Sequence, residues 1–356
     1  MKVCILGNNL VSLTLAKALI NLDICVDIFP SNKKLNISKT RTIGISDSNV
    51  NFFNKNILEI KKLLWEINKI EILSENTKDE KIIDFQKKSQ NLFYIIKNYE
   101  LYDYLSRALK KNKFFFQKNK LPKNFKIKNY NLVINTDSNN FFSKKYFYKK
   151  INKDYNSFAH TTVIEHKKLS NNHIATQIFT KNGPLAFLPI SDIKTSIVYS
   201  VRGSKNVDLK NLIKKYNKKY SILKISQTKN FYLKSSNVRN YYFKNILAFG
   251  EILHKIHPLA GQGFNMSLRD IKLLIRLIKS RIDNGLDLDH SICIDFEKKA
   301  RHKNYLFSSG IDLIYEFFKF ESKVNHSFIS KSVKLLGKNK YANNFFTKIA
   351  DEGIFF

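Results

Sequence analysis

The chain opens on a short apolar run, Val3-Cys4-Ile5-Leu6, followed by a Gly7-Asn8-Asn9 turn and a stripe of apolar residues at Leu13, Ala16, Ala18, Leu19 and Ile20. The run reads as a strand buried on both faces, and the stripe predicts a helix from about Leu10 to Asn21. Ile24-Cys25-Val26-Asp27-Ile28-Phe29, stopped by Pro30, predicts a second strand. Strand, helix and strand within about 30 residues is how a dinucleotide-binding fold begins. Two further amphipathic helices are predicted, over Asn49 to Leu73 on the stripe Phe52, Phe53, Ile57, Ile60 and Leu64, and over Leu101 to Leu109. Phe114 to Tyr130 reads as a lysine-rich, strand-poor connector, and Leu132-Val133-Ile134 as another buried strand leading to Thr136-Asp137-Ser138.

Between about Asn152 and Asn240 the pattern changes to short runs of alternating apolar and polar residues, as in Ser157 to Glu165, His173 to Thr180, Ala186 to Ile190 and Thr195 to Arg202. Such alternation predicts a mostly antiparallel sheet. Ile246-Leu247-Ala248-Phe249 returns to the buried-strand pattern, a long helix is predicted from about Phe264 to Asn284, and Ser291 to Phe356 reads as helical, basic and aromatic. The expected fold is α/β. A Rossmann-like domain is built from residues 1–150 and 241–290, a mostly antiparallel β-sheet domain occupies 151–240, and 291–356 is a helical C-terminal segment.

Composition narrows the function. The 356 residues are 43% hydrophobic and 13% aromatic, ample for a core and against global disorder. Lys and Arg outnumber Asp and Glu by 62 to 29, for a net charge of +33. Only eight of those cations are arginine, the side chain that reads bases and forks onto phosphates, so the diffuse lysine excess argues against a nucleic-acid partner. Cys4, Cys25 and Cys293 stand far apart and form no ligand spacing with the histidines, so neither a disulfide framework nor a metal site is expected. The opening residues do not read as a signal peptide and no apolar stretch approaches the ~20 residues of a membrane span. A cytoplasmic location is expected, with peripheral contact at the inner membrane as a finer option. The C-terminal aromatics Phe317, Phe318, Phe320, Phe345, Phe346, Phe355 and Phe356 read first as helix packing, with a membrane-surface or partner-docking face as the alternative.

The densest chemistry lies in Gly250-Glu251-Ile252-Leu253-His254-Lys255-Ile256-His257-Pro258-Leu259-Ala260-Gly261-Gln262-Gly263-Phe264-Asn265, followed by Leu268-Arg269-Asp270. A strand ends at an acidic residue, a loop with two glycines lets backbone approach a ligand, and a helix starts with its N–H groups turned back on that loop. The stretch resembles the second flavin-binding motif of the group A flavin-dependent aromatic hydroxylases, in the version carried by the ubiquinone-biosynthesis hydroxylases. Weaker matches follow in order: Arg41-Thr42-Ile43-Gly44-Ile45-Ser46, Asn98 with Leu101 and Leu105, Asp137, and Gly183-Pro184-Leu185-Ala186-Phe187-Leu188-Pro189.

The resemblance implies the p-hydroxybenzoate hydroxylase fold and an FAD-dependent monooxygenase. It would hydroxylate the aromatic ring of a polyprenylated phenol or benzoquinol in ubiquinone biosynthesis, through a flavin hydroperoxide formed from O2 on FAD reduced by NAD(P)H or another donor. It also implies the site. Gly7, Asn9 and Ser12 would meet the pyrophosphate, Arg41 the ADP side, and Glu251 a ribityl or phosphate-side hydroxyl. Gly261, Gln262, Gly263 and Asn265 would face the pyrimidine end of the flavin. Pro258 and Leu259 would wall off water, and His257 is either a proton acceptor or a loop histidine held by backbone. Arg269 and Asp270 read as structural partners.

Several residues depart from the family pattern. The fingerprint reads Gly7-x-Asn9-x-x-Ser12, the ribose carboxylate's place is Pro30, Ser138 stands for glycine, Glu251 for aspartate, and bulky Ile252-Leu253 for two alanines. Asn9 tolerates a left-handed conformation better than other non-glycine residues and Ser12 is small, so the fold survives, while a branched side chain at Gly263 would occupy the flavin's space and block any positive φ there. Weakened FAD binding follows, with a non-catalytic scaffold in a quinone-biosynthesis complex as the alternative.

Overall fold

The computed structural model describes residues 1–31, 37–75, 81–86, 91–122, 124–203, 206–324, 334 and 339–353, so Phe355 and Phe356 lie outside the described residues. Strand β1 (Lys2–Leu6), helix α1 (Leu10–Ile20) and strand β2 (Cys25–Phe29) form where the periodicity places them. Val3 to Leu6 are fully buried, because a parallel strand flanked on both sides has no solvent face. β3 (Thr42–Ser46) runs straight into α2 (Asp47–Asn56).

Here the expectation of a helix to Leu73 fails. α2 ends at Asn56, and β4 (Trp65–Ile67) and β5 (Lys69–Ser74) follow. Ile57 and Ile60 are buried, which explains the apparent helical stripe, but Lys69-Ile70-Glu71-Ile72 alternates with period two and its isoleucines suit a strand. Next come β6 (Lys81–Gln86), β7 (Phe93–Lys97), α3 (Asn98–Lys110), β8 (Phe115–Gln117), β9 (Leu132–Asn135) and α4 (Phe141–Tyr146). β8 sits inside the connector expected to lack strands; three residues are too few to carry a visible period.

The middle of the chain forms β10 (Lys150–His166), β11 (Ile174–Thr180), β12 (Gly183–Ser191), β13 (Lys194–Arg202), α5 (Leu209–Tyr216), β14 (Ile222–Ile225) and β15 (Lys229–Val238). β16 (Tyr242–Phe243), β17 (Ile246–Ala248), β18 (His254–Lys255), α6 (Gln262–Asp283), α7 (Ser291–Val324) and α8 (Lys340–Glu352) complete it.

The first sheet has the order β16-β17-β9-β1-β2-β8 and is parallel except for the β16–β17 edge. β2 and β8 lie on one side of β1, β9 and β17 on the other. The carboxyl end of β1 is therefore a topological switch point, the crevice where open α/β sheets bind ligands. The second sheet runs β18-β15-β10-β13-β12-β11-β5-β6, with β14 added to β10. It draws β5 and β6 from before residue 150 and β18 from after residue 240, so the two units interlace instead of dividing at those residues. A small antiparallel sheet, β3-β7-β4, bridges them. Among the described residues no helix is long and apolar enough to cross a membrane.

Candidate functional site

Two turns meet at the switch point. The first joins β1 to α1. Gly7 has φ +107, and a Cβ there would stand 2.3 Å from Thr136 Oγ1, so glycine is required. Asn9 does not use the left-handed conformation it could tolerate; its φ is −75 and it is the N-cap of α1, its Oδ1 accepting the Ser12 amide at 3.1 Å. Its Nδ2 donates to the carbonyl and to the hydroxyl of Thr136, each at 3.2 Å. Ser12, fully buried, has its hydroxyl 2.7 Å from Thr136 Oγ1. Thr136 donates its own proton to Leu6 O at 2.9 Å, so Ser12 is the donor of that pair. The positions where a dinucleotide fingerprint has its second and third glycines thus carry side chains bonded to each other and to Thr136, a hub that the sequence reading passed over. Polar residues in place of two glycines were the available signal, since buried polar groups demand partners.

The second turn joins β17 to α6 through Gly250. Gly250 has φ +61 and lies against Val11, 3.3 Å from where its Cβ would be, which brings this turn onto the start of α1. Glu251 is exposed, while Ile252 and Leu253, bulky for the family pattern, are fully buried in the core of the first sheet. Gly261 has φ +62 and is the N-cap of α6 without a side-chain cap; a Cβ would approach Gly44 N and the Phe93 ring at 3.6 Å. Gly263 does not have a positive φ and is exposed, with only Ile256 at 4.0 Å from its missing Cβ. Backbone freedom is therefore required at Gly261 and not at Gly263. Asn265, fully buried, ties α6 to β3: its Oδ1 accepts from Ser46 N and Asn49 Nδ2, each at 3.0 Å, and its Nδ2 donates to Gly44 O at 3.1 Å. Its carboxamide is spent inside the protein, so it shapes the loop. Gln262 is buried and accepts from Arg269. Arg41 is exposed at the entry to β3.

The loop between these anchors carries two buried histidines. His254 Nε2 lies 2.5 Å from Asp270 Oδ2, and Asn304 Nδ2 donates to the other oxygen at 2.9 Å. Asp270 therefore pairs with His254 and Asn304, and Arg269 lies over the Phe307 ring; the two neighbours do not pair with each other. Burial lowers the Arg269 pKa to about 10 against the raising pull of Asp270 and Asp351. His257 accepts the Leu259 amide at its Nδ1, which leaves the proton on Nε2, a buried donor with no partner among the described residues. Its ring sits between Tyr155 and Tyr315, with centroids at 4.9 and 4.5 Å. Burial, with help from Lys153, pushes its pKa down to about 3, so it is neutral at physiological pH. That favours the loop-histidine reading. Tyr155 donates to Asp312 of α7, and burial followed by that bond raises its pKa. Pro258 is half-buried, while Leu259 packs with Phe179, Met266, Phe307 and Ile311.

α8 adds a contact that the sequence did not announce. Ser46 Oγ and Ser48 Oγ donate to the Asp351 carbonyl at 2.8 and 2.9 Å, and Ser48 N donates to its carboxylate at 2.9 Å. Phe345 and Phe346 on the same helix are exposed.

A flavin dinucleotide, the group the fold implies, meets two different receptions here. The α6 turn fits it: left-handed Gly261 brings bare backbone to a helix start. The α1 turn fits it poorly, because Asn9, Ser12 and Thr136 satisfy one another where phosphate would bind.

No protein-family model matches the chain. It is 28% identical over 152 residues to 3-demethoxyubiquinol 3-hydroxylase of Escherichia coli (strain K12), covering 40% of this chain and 39% of that protein. It is 23% identical over 274 residues to the mitochondrial ubiquinone biosynthesis monooxygenase COQ6 of Schizosaccharomyces pombe, covering 63% of this chain and 57% of that one. The matches thus span about two fifths to three fifths of these relatives. In structure it is similar to p-nitrophenol 4-monooxygenase PnpA from Pseudomonas putida DLL-E4, with a TM-score of 0.79 at 11% identity over 99% of this chain and 98% of that one. Klebsiella pneumoniae HpxO, complexed with FAD and uric acid, superposes with a TM-score of 0.74 at 11% identity over 99% and 97%. The chain is thus a homologue of the ubiquinone-biosynthesis hydroxylases, built on the fold of the FAD-dependent aromatic monooxygenases.

Proposed function

We propose that this chain is an FAD-dependent hydroxylase of the aromatic ring of a polyprenylated phenol or benzoquinol in ubiquinone biosynthesis, using O2 and a reductant such as NAD(P)H. The observation that carries the reading is the α6 turn, with its left-handed Gly261 and the Asn265 clamp onto β3, in a chain homologous to ubiquinone-biosynthesis hydroxylases. The flavin supplies the oxygen chemistry; the protein places the reactants and controls charge and water. Gln262 and Gly263 present the amides of the α6 start, where the helix dipole favours negative charge on a reduced flavin, and Gly261, whose own amide donates to Pro258 O, sets the turn that aims them. Glu251, exposed beside Gly250, is available to a ribityl hydroxyl. Pro258 lines the site as an apolar wall, and the Leu259 side chain fixes that wall to the sheet and α7. His257 holds the wall's backbone through Leu259 N and stays neutral, without taking up a proton itself.

The cofactor unit comprises residues 1–150 and 241–290 less β5, β6 and β18, which belong to the substrate sheet. Contact with a membrane surface, or with a quinone-biosynthesis complex, suits a lipid-tailed substrate and the exposed aromatics of α7 and α8. Purified protein tests the reading: it should carry flavin absorbance that a reductant bleaches and O2 restores, faster when a prenylated phenol is present. Protein that stays colourless after incubation with FAD yet still binds quinone-biosynthesis partners would overturn the enzyme assignment.

A further inference from the structure

We infer that this site takes its flavin through the isoalloxazine, ribityl and first-phosphate half alone, so that FMN binds about as well as FAD. The inference rests on the reading that the chain binds a flavin, and it concerns what the α1 turn does to the adenylate half.

Three features of that half coincide. In a dinucleotide site the bare second glycine lets the pyrophosphate reach the helix start, and the third lets helix and strand close up. Here the Asn9 carboxamide covers the helix start and takes the Ser12 amide, while Ser12 and Asn9 both lock onto Thr136, whose proton goes to Leu6 O. Every bond in this network is internal. A second phosphate could enter only by breaking it, and would gain no more than the network loses. The end of β2, where a carboxylate would receive the adenosine ribose, is Phe29-Pro30, and proline has neither an acid nor an N–H to offer. Beside it, between α1, α3 and the ends of β2 and β8, the cavity measures about 30 Å³, and Asn8, Ser106 and Lys110 share its lining with apolar side chains such as Leu13, Tyr102 and Phe115. That is room for a few waters, against the roughly 300 Å³ and more of an ordinary small-molecule pocket.

The flavin half keeps its apparatus. The Ser12 and Leu13 amides of α1 are bonded to Asn9, but the first two, of Leu10 and Val11, precede any intrahelical acceptor and remain available to one phosphate. Val11 itself lies against Gly250, so that phosphate would stand between the two turns. Left-handed Gly261 and the start of α6 serve the ring system. The features needed for FMN are present, and those specific to the adenylate are filled or replaced.

The test is a set of dissociation constants from flavin fluorescence for the full chain with FAD and FMN, with ADP as competitor. FAD and FMN are expected to agree within about threefold, and millimolar ADP should displace neither, whereas an intact ribose carboxylate alone is worth about tenfold. The substitution Pro30→Glu, away from the phosphate turn, should make FAD about tenfold tighter than FMN while FMN is unchanged. Its thermal melt reports whether the variant is folded, and the parent's FAD-to-FMN ratio decides the matter if it is not. FAD binding ten or more times tighter than FMN in the parent, or displacement by ADP, overturns the inference and leaves the flavin reading standing. Binding of neither flavin overturns both.

Discussion

At the start of α6 the backbone is bare, whereas at the start of α1 side chains have closed over it. The two turns lie side by side, with Val11 against Gly250, and both feed long helices from buried strands. Gly261 leaves the α6 amides without a side-chain cap; Asn9 caps α1 and is itself tied to Thr136. A helix start has only a few free amides, and whichever group takes them, ligand or cap, excludes the other. The loss of two fingerprint glycines therefore does not loosen the first turn. It puts internal bonds in the place of bare backbone at Asn9 and Ser12, which keeps the fold intact.

The comparison breaks most severely if the second turn loses its base. Asp270→Ala strands His254 and Asn304 in the interior without the carboxylate they bond, and each buried polar group left unsatisfied costs about 1–3 kcal/mol. Chemical denaturation should show that loss, and flavin retention should go with it. Gly261→Val forces a branched side chain into a left-handed conformation, at about 1–3 kcal/mol. Gly263→Ala, by contrast, should leave melting and flavin binding close to wild type, because nothing in the backbone there requires glycine.

His257 gives the comparison a pH dependence. Its folded pKa lies near 3 and its unfolded value near 6.5, so below pH 6.5 the unfolded chain takes up a proton that the folded chain does not. The stability His257 contributes is complete above pH 6.5 and is lost as pH falls towards 3, by about 1.4 kcal/mol per unit. His257→Phe should lack this component, so the stability difference between the two proteins, followed by urea midpoints, should change with pH below 6.5 and be flat above 7. A flat difference throughout would mean that the ring is not buried neutral. The smallest effect belongs to the first turn: Asn9→Gly keeps a tolerated cap residue and should cost only a few tenths of a kcal/mol. A loss of several kcal/mol would show that the Asn9–Thr136 network supports the fold far more than a cap does.

The sequence by itself determined which segments are the first sheet's buried strands, because Val3 to Leu6, Leu132 to Ile134 and Ile246 to Ala248 are apolar runs that only a sheet covered on both faces can bury. It determined the α6 turn too, since glycines between a buried strand and an amphipathic helix have few other uses. Tertiary structure decided the rest. β8 is too short to carry a period, and although β5 alternates locally, its parallel partner β11 lies more than a hundred residues away and only folding brings the two together. The same holds within the site. Asn9, Ser12 and Thr136 are unremarkable as single letters, and Asp351 is distant from Ser46 in the chain; each acquires its role from a partner brought near by folding, and a hydrogen bond depends on that spatial distance and not on separation along the sequence.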